Sequence, residues 1–195
     1  MRFLLGAVLL CAVACQPQQP PPDVYGTAPS FVLTDQTGAA FDSEGLRGRA
    51  VLLDFVYTHC TDACPLLSAT FAQTQRKLAD AGLLSTKVML VSLSVDPDHD
   101  TPTVLAEYAQ HFKAETGAWR FLTGDWDQVY DVITGFKVAA RPPRPPSGAP
   151  VPGGTELTHT TRIVLIDPQG QVRGYLDGQD ATADDLVSAV RTVVR

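Results

Sequence analysis

Val51-Leu-Leu-Asp-Phe-Val-Tyr-Thr-His-Cys-Thr-Asp-Ala-Cys-Pro65 is the stretch from which the rest of the chain can be read. Residues 51–57 form a near-continuous apolar run, the pattern of a strand covered on both faces. Two cysteines four residues apart follow, then Pro65, which is tolerable in a first helical turn because the N–H groups there lack intrahelical partners. Beyond it Leu67, Phe71, Thr74 and Leu78 fall on one helical stripe, and Gly82 supplies a left-handed stop. The two cysteines therefore stand where a buried strand hands over to a helix. Residues four apart share a helix face, so both sulfurs can point the same way. The helix N-terminus favours negative charge and so favours thiolate, the form that binds metals.

Working outward, Phe31-Val-Leu-Thr34 reads as a strand entering the turn Asp35–Gly38, with Ala40-Phe41 opening its partner. Val88 to Val95 is a second buried strand. Thr101-Pro102 starts a helix, Thr as cap and Pro at the first position, whose apolar face is Leu105, Tyr108, Ala109 and Phe112. Trp119 to Leu122 reads as a short strand. Asp125-Trp-Asp-Gln128 has the form of a capping box before a helix burying Val129, Ile133 and Phe136. Arg141 to Gly154 is too rich in Pro and Gly for regular structure. Arg162–Ile166, the turn Asp167–Gly170 and Gln171–Tyr175 make a hairpin, and Thr182 caps a last helix carrying Leu186, Val187, Val190 and Val194. The order is a β pair, β-α-β-α-β-α, a hairpin and a helix. This predicts an α/β, thioredoxin-like fold with an N-terminal β-hairpin extension, spanning residues 28–195.

The 195 residues, 45% of them hydrophobic, suffice for one core. A net charge of −6 with no basic run argues against nucleic acid as a partner. At the N-terminus, Arg2 precedes an apolar stretch, Phe3 to Ala14, too short to span a bilayer. Small residues Ala12-Val13-Ala14 stand directly before Cys15, so residues 1–15 read as a lipoprotein-type signal or anchor. A plain cleaved signal peptide and an uncleaved anchor are the alternatives. Residues 16–27 read as a Pro/Gln-rich tether. The chain is thus expected on the periplasmic or extracytoplasmic side of a bacterial envelope, lipid-anchored through Cys15. Only Cys60 and Cys64 then remain in the mature domain, and their close spacing looks chemical rather than structural.

Two thiolates call for a third ligand. Leu157-Thr-His159-Thr lies just before the hairpin strand at Arg162, and in a thioredoxin-like fold that loop lies against the cysteine-bearing helix start. A set of Cys60, Cys64 and His159 suits Cu(I) and can also hold Cu(II) or zinc. Asp54, six residues before Cys60 in an apolar strand, is either a buried acid with a raised pKa that takes a proton from a cysteine, or a structural carboxylate. Asp96 and Asp100 are read as structural, the latter beginning a helix, with a weak oxygen ligand to Cu(II) as the alternative. His59 is read as flanking or solvated, His99 and His111 as surface residues, and Trp119 and Trp126 as core aromatics.

Three motifs together resemble the Sco/SenC family: Phe55-Val-Tyr-Thr-His-Cys-Thr-Asp-Ala-Cys-Pro65, Val91-Ser-Leu-Ser-Val-Asp-Pro-Asp-His-Asp-Thr-Pro102, and Leu157-Thr-His-Thr-Thr161. The likeness runs from about Ala28 to the C-terminus. It departs at Thr61, where the family commonly has Pro, and at His99, where Arg is more usual. The resemblance implies a membrane-tethered thioredoxin-fold protein with Cys60, Cys64 and His159 as copper ligands. It also implies a role in assembling the CuA centre of cytochrome c oxidase, with subunit II and another periplasmic copper chaperone as partners. The alternative function is a thiol–disulfide reductase that keeps the partner's CuA cysteines reduced, Cys60 attacking and Cys64 resolving. Three residues between the cysteines, and His159 where thioredoxins resemble one another in having Pro, count against that reading; Asp54 counts for it. A peroxiredoxin is poorer still, since the Thr expected three residues before its attacking cysteine is Tyr57 here.

Overall fold

Seven successive buried residues in each of two adjacent strands organise the molecule. β4 (Ala50–Val56) and β5 (Val88–Ser94) run parallel, with Leu52 opposite Leu90 and Asp54 opposite Ser92. The computed structural model describes residues 23–60, 63–138, 144–147, 149 and 161–194. Among these, the sheet has the order β1-β8-β7-β4-β5-β6-β2-β3. The remaining strands are β1 (Gly26–Thr27), β2 (Val32–Asp35), β3 (Ala40–Asp42), β6 (Trp119–Thr123), β7 (Arg162–Ile166) and β8 (Gln171–Asp177). β6 lies parallel to β5, and β7 antiparallel to β4. The β2–β3 hairpin adds to the β6 edge, while β1 pairs with β8 at the other edge. The folded unit therefore reaches into the end of the stretch read as tether.

Alternation along the strands divides the core in two. Val51, Leu53 and Phe55 pack with α3 (Trp126–Gly135), through Val129, Tyr130 and Ile133. Leu52 and Leu90 pack on the other side with Leu67 and Phe71 of α1 (Ala63–Asp80), Leu105 of α2 (Pro102–His111) and Leu186 of α4 (Ala183–Val193). By the same alternation Asp54 and Ser92 face the α1 side. Each large apolar side chain fully buried here contributes about 1.5–3 kcal/mol.

Thr101 caps α2 with Pro102 behind it, and Thr182 with Asp185 forms a reciprocal capping box on α4, as the sequence leads one to expect. Asp125 departs from expectation. It occupies the α3 N-cap with extended backbone, yet its side chain makes no capping hydrogen bond. Burial of Trp126, Val129 and Ile133 holds that helix start instead. Among the described residues no helix is long and apolar enough to cross a membrane.

Candidate metal centre

β4 ends at Val56, and four residues carry the chain to Cys60. The Cys60 N–H donates to the Tyr57 carbonyl at 3.2 Å, closing a tight turn. Thr58 is anchored within that turn: its N–H and hydroxyl both donate to the Asp100 carboxylate, the hydroxyl at 2.6 Å. The other Asp100 oxygen accepts from the Ser94 hydroxyl at 2.6 Å, and Ser94 Oγ accepts from the Asp96 N–H at 3.0 Å. Asp100, fully buried, thus ties the end of β4 to the end of β5 rather than beginning α2, which Thr101 caps.

Cys60 is half-buried and Cys64 buried; both are thiols, not joined in a disulfide. The Cys64 N–H donates to Cys60 Sγ at 3.4 Å, so the first sulfur accepts from an amide in the first turn of α1. Burial pushes the Cys64 thiol well above its ordinary range. The Tyr57 backbone offsets part of this, while the neighbouring Cys60 and Asp54 add to it. Cys60 is thus the more accessible thiol and Cys64 the withdrawn one. Thr61 and Asp62, between them, lie outside the described residues.

Asp54 sits beneath this pair on the α1 face, with no solvent exposure. Neither of its oxygens makes a hydrogen bond of full geometry among the described residues, although the Ser92 hydroxyl across the strand pair faces it. Burial raises its carboxyl to about 7; the Ser92 hydroxyl opposite it and its own backbone only partly oppose that. Ser92 Oγ meanwhile accepts from Trp119 Nε1 at 2.9 Å. Ser68 and Tyr108, hydroxyls 2.8 Å apart, bring α1 and α2 together nearby. Neither residue stood out in the sequence, where Tyr108 reads only as one of the apolar residues of α2.

His159 lies outside the described residues, as do most of Arg141–Gly154. Its chain is held on both sides. Upstream, Arg144 pairs with Asp98 at 3.0 Å. Downstream, the Thr161 carbonyl accepts from the Gly178 N–H at 2.7 Å, and the Thr161 hydroxyl donates to Asp177 at 3.1 Å. Gly178 is there because nothing larger fits. A Cβ at that position would fall 2.8 Å from Leu67 Cδ1 of α1 and closer still to the Thr161 carbonyl oxygen. Thr161 therefore runs close to α1 within one turn of Cys64.

Two histidines read as peripheral come together. The His59 and His99 rings lie 4.6 Å apart, centroid to centroid, edge to face. His99 Nδ1 is 3.0 Å from Asp100 Oδ1, and His59 Nδ1 is 3.6 Å from Asp96 Oδ2. Burial raises the Asp96 carboxyl, nearby Asp100 adds to this, and the two histidines lower it. Forty residues separate the rings in sequence, so only the parallel pairing of β4 and β5 could reveal the juxtaposition. A cavity lined by Pro29, Leu46, Arg47 and Phe136 lies on the α3 side of the sheet, away from the thiols.

The SCO1/SenC family matches this chain over residues 19–195. The SCO1 protein homolog of Bacillus subtilis is 28% identical over 190 residues, spanning 96% of this chain and 93% of that one. BsSco, a member of the Sco family of cytochrome c oxidase assembly proteins whose structure identified a disulfide switch, superposes with a TM-score of 0.72 at 28% identity. The match covers 90% of this chain and 98% of BsSco. ScoI of Bradyrhizobium japonicum, solved with copper bound, gives a TM-score of 0.65 at 27% identity over 86% and 99% of the two chains. The strand-to-helix cysteine pair and the eight-stranded thioredoxin-like sheet thus belong to a member of the SCO1/SenC family.

Proposed function

We propose that this protein is a copper chaperone that holds one copper ion through Cys60, Cys64 and His159 and delivers it to the CuA centre of cytochrome c oxidase subunit II. The observation that carries the reading is the thiol pair itself, not joined in a disulfide, with one sulfur accepting from an amide in the first turn of α1 and the other withdrawn in the core. The donor chemistry fits: two soft sulfurs and an imidazole suit Cu(I), and the imidazole extends the set toward Cu(II). The position of Thr161 supports His159 as the third ligand. Two residues of chain span at most about 7 Å, and Thr161 already lies against α1 beside Leu67. Copper bound to a relative as similar as ScoI supports the choice of metal. A lipid anchor at Cys15 on the outer side of a bacterial membrane suits delivery to a membrane oxidase, with another periplasmic chaperone as the donor.

A second reading is favoured by Asp54. A fully buried carboxyl raised to about 7, with no hydrogen bond of full geometry among the described residues, is suited to accept the proton of the Cys64 thiol. In that reaction the Cys60 thiolate attacks a partner disulfide and releases one partner thiolate. Cys64, deprotonated to Asp54, then resolves the mixed disulfide. The products are a reduced partner and a Cys60–Cys64 disulfide. Two assays separate the readings. Copper-loaded protein mixed with a copper-free CuA domain carrying reduced cysteines should transfer its metal. Copper-free protein should reduce insulin no faster than free dithiol. Rapid insulin reduction without metal transfer would make the protein a reductase.

A further inference from the structure

The His59–His99 pair carries an inference of its own. Both rings turn Nδ1 toward a buried carboxylate, His99 toward Asp100 at 3.0 Å and His59 toward Asp96 at 3.6 Å. A carboxylate behind Nδ1 is the usual way a metal-binding imidazole is fixed in one tautomer, with Nε2 left as the ligand. One nitrogen of each ring and an Asp100 oxygen lie within 4.8 Å of one another, so the two imidazoles are close enough to share one ion. The histidines are accessible, their side chains 37% and 48% exposed, whereas Asp96 and Asp100 are buried.

Asp100 is explained by structure, because Thr58 and Ser94 occupy it. Asp96 is not. It is 1% exposed, its carboxylate lies beside His59, and one of its oxygens has no hydrogen-bond partner among the described residues. A buried acceptor left unsatisfied is destabilising, and positive charge held at the neighbouring histidines would offset that.

We propose that His59 and His99, backed by Asp96 and Asp100, form a second metal site for one divalent copper ion, with ligands separate from Cys60, Cys64 and His159. Two imidazole nitrogens backed by carboxylates suit Cu(II) better than Cu(I), which prefers the thiolates. The donor chemistry stands on these four residues; the choice of copper among divalent cations rests on the function proposed above.

The test uses the full chain in detergent, carrying Cys60→Ser, Cys64→Ser and His159→Ala so that the first ligand set is gone. Titrated with Cu(II) and followed by electron paramagnetic resonance, this parent should bind one equivalent with hyperfine structure from two imidazole nitrogens. His99→Arg keeps a donor to Asp100 but has no metal-binding lone pair; His59→Gln keeps a polar side chain. Each should weaken Cu(II) binding by about tenfold or more, since loss of supporting partners alone costs 10–100-fold. Thermal melting of each variant beside its parent separates ligand loss from unfolding. His59→Gln, at an exposed position, carries the test if His99→Arg melts early. Failure of the parent to bind Cu(II), or binding indifferent to both histidines, would overturn the second site. Neither result bears on the thiol site, already absent from the parent.

Discussion

Asp54 is the residue whose environment and chemistry conflict most sharply. Its carboxyl, raised by burial to about 7 from 3.8, binds its proton more tightly in the folded than in the unfolded chain. Stability tied to that proton is complete below about pH 4 and is lost as pH rises through about 7. Asp54→Asn removes this slope. Urea unfolding of the metal-free protein should show the variant gaining on wild type by on the order of 2–4 kcal/mol between about pH 4 and pH 8. A constant difference across that range would mean that Asp54 is solvated or paired. The acid's exceptional setting was legible in the sequence, because a charge inside Val51–Val56 has nowhere polar to go. The His59–His99 pair was not, since it depends on which strand ends become neighbours. Nor was Asp100, whose place beside Thr101 suggests a helix start while its carboxylate reaches back to Thr58.

Among the elements, the helix starts illustrate where local signals suffice. Thr101-Pro102 and Thr182 through Asp185 cap as their sequences imply, because each cap is closed within four residues. Asp125 has the same signature without the bond, because tertiary burial of Trp126 already holds the turn. The junction of β7, β8 and α1 is a different case. Gly178 is unremarkable in sequence, yet its missing side chain lets the Thr161 carbonyl and Leu67 close over it. Gly178→Ala should destabilise the fold by about 1–3 kcal/mol, as overpacking does. It should also weaken copper retention, because the strand leading from His159 would be pushed off α1. Chemical unfolding read beside copper affinity checks both effects, and unchanged values for both would remove Gly178 as the residue that seats this junction.

Taken whole, the molecule places its chemistry at one end of the sheet. The parallel strands β4 and β5 both finish there, and the loops after them supply the thiols, the Asp100 tie and the two histidines. The order of elements along the chain followed from apolar periodicity, whereas the Pro/Gly-rich approach to His159 carries no periodic signal to read. The proposed copper ligands come from a helix start and from the segment before Arg162, so they are tested side by side. An anaerobic Cu(I) titration of the full chain, wild type beside Cys64→Ser and His159→Ala, does so. One equivalent held tightly by wild type and at least about tenfold more weakly by each variant is the expected result. Equal affinity in wild type and His159→Ala would contradict a site built from two thiolates and that imidazole.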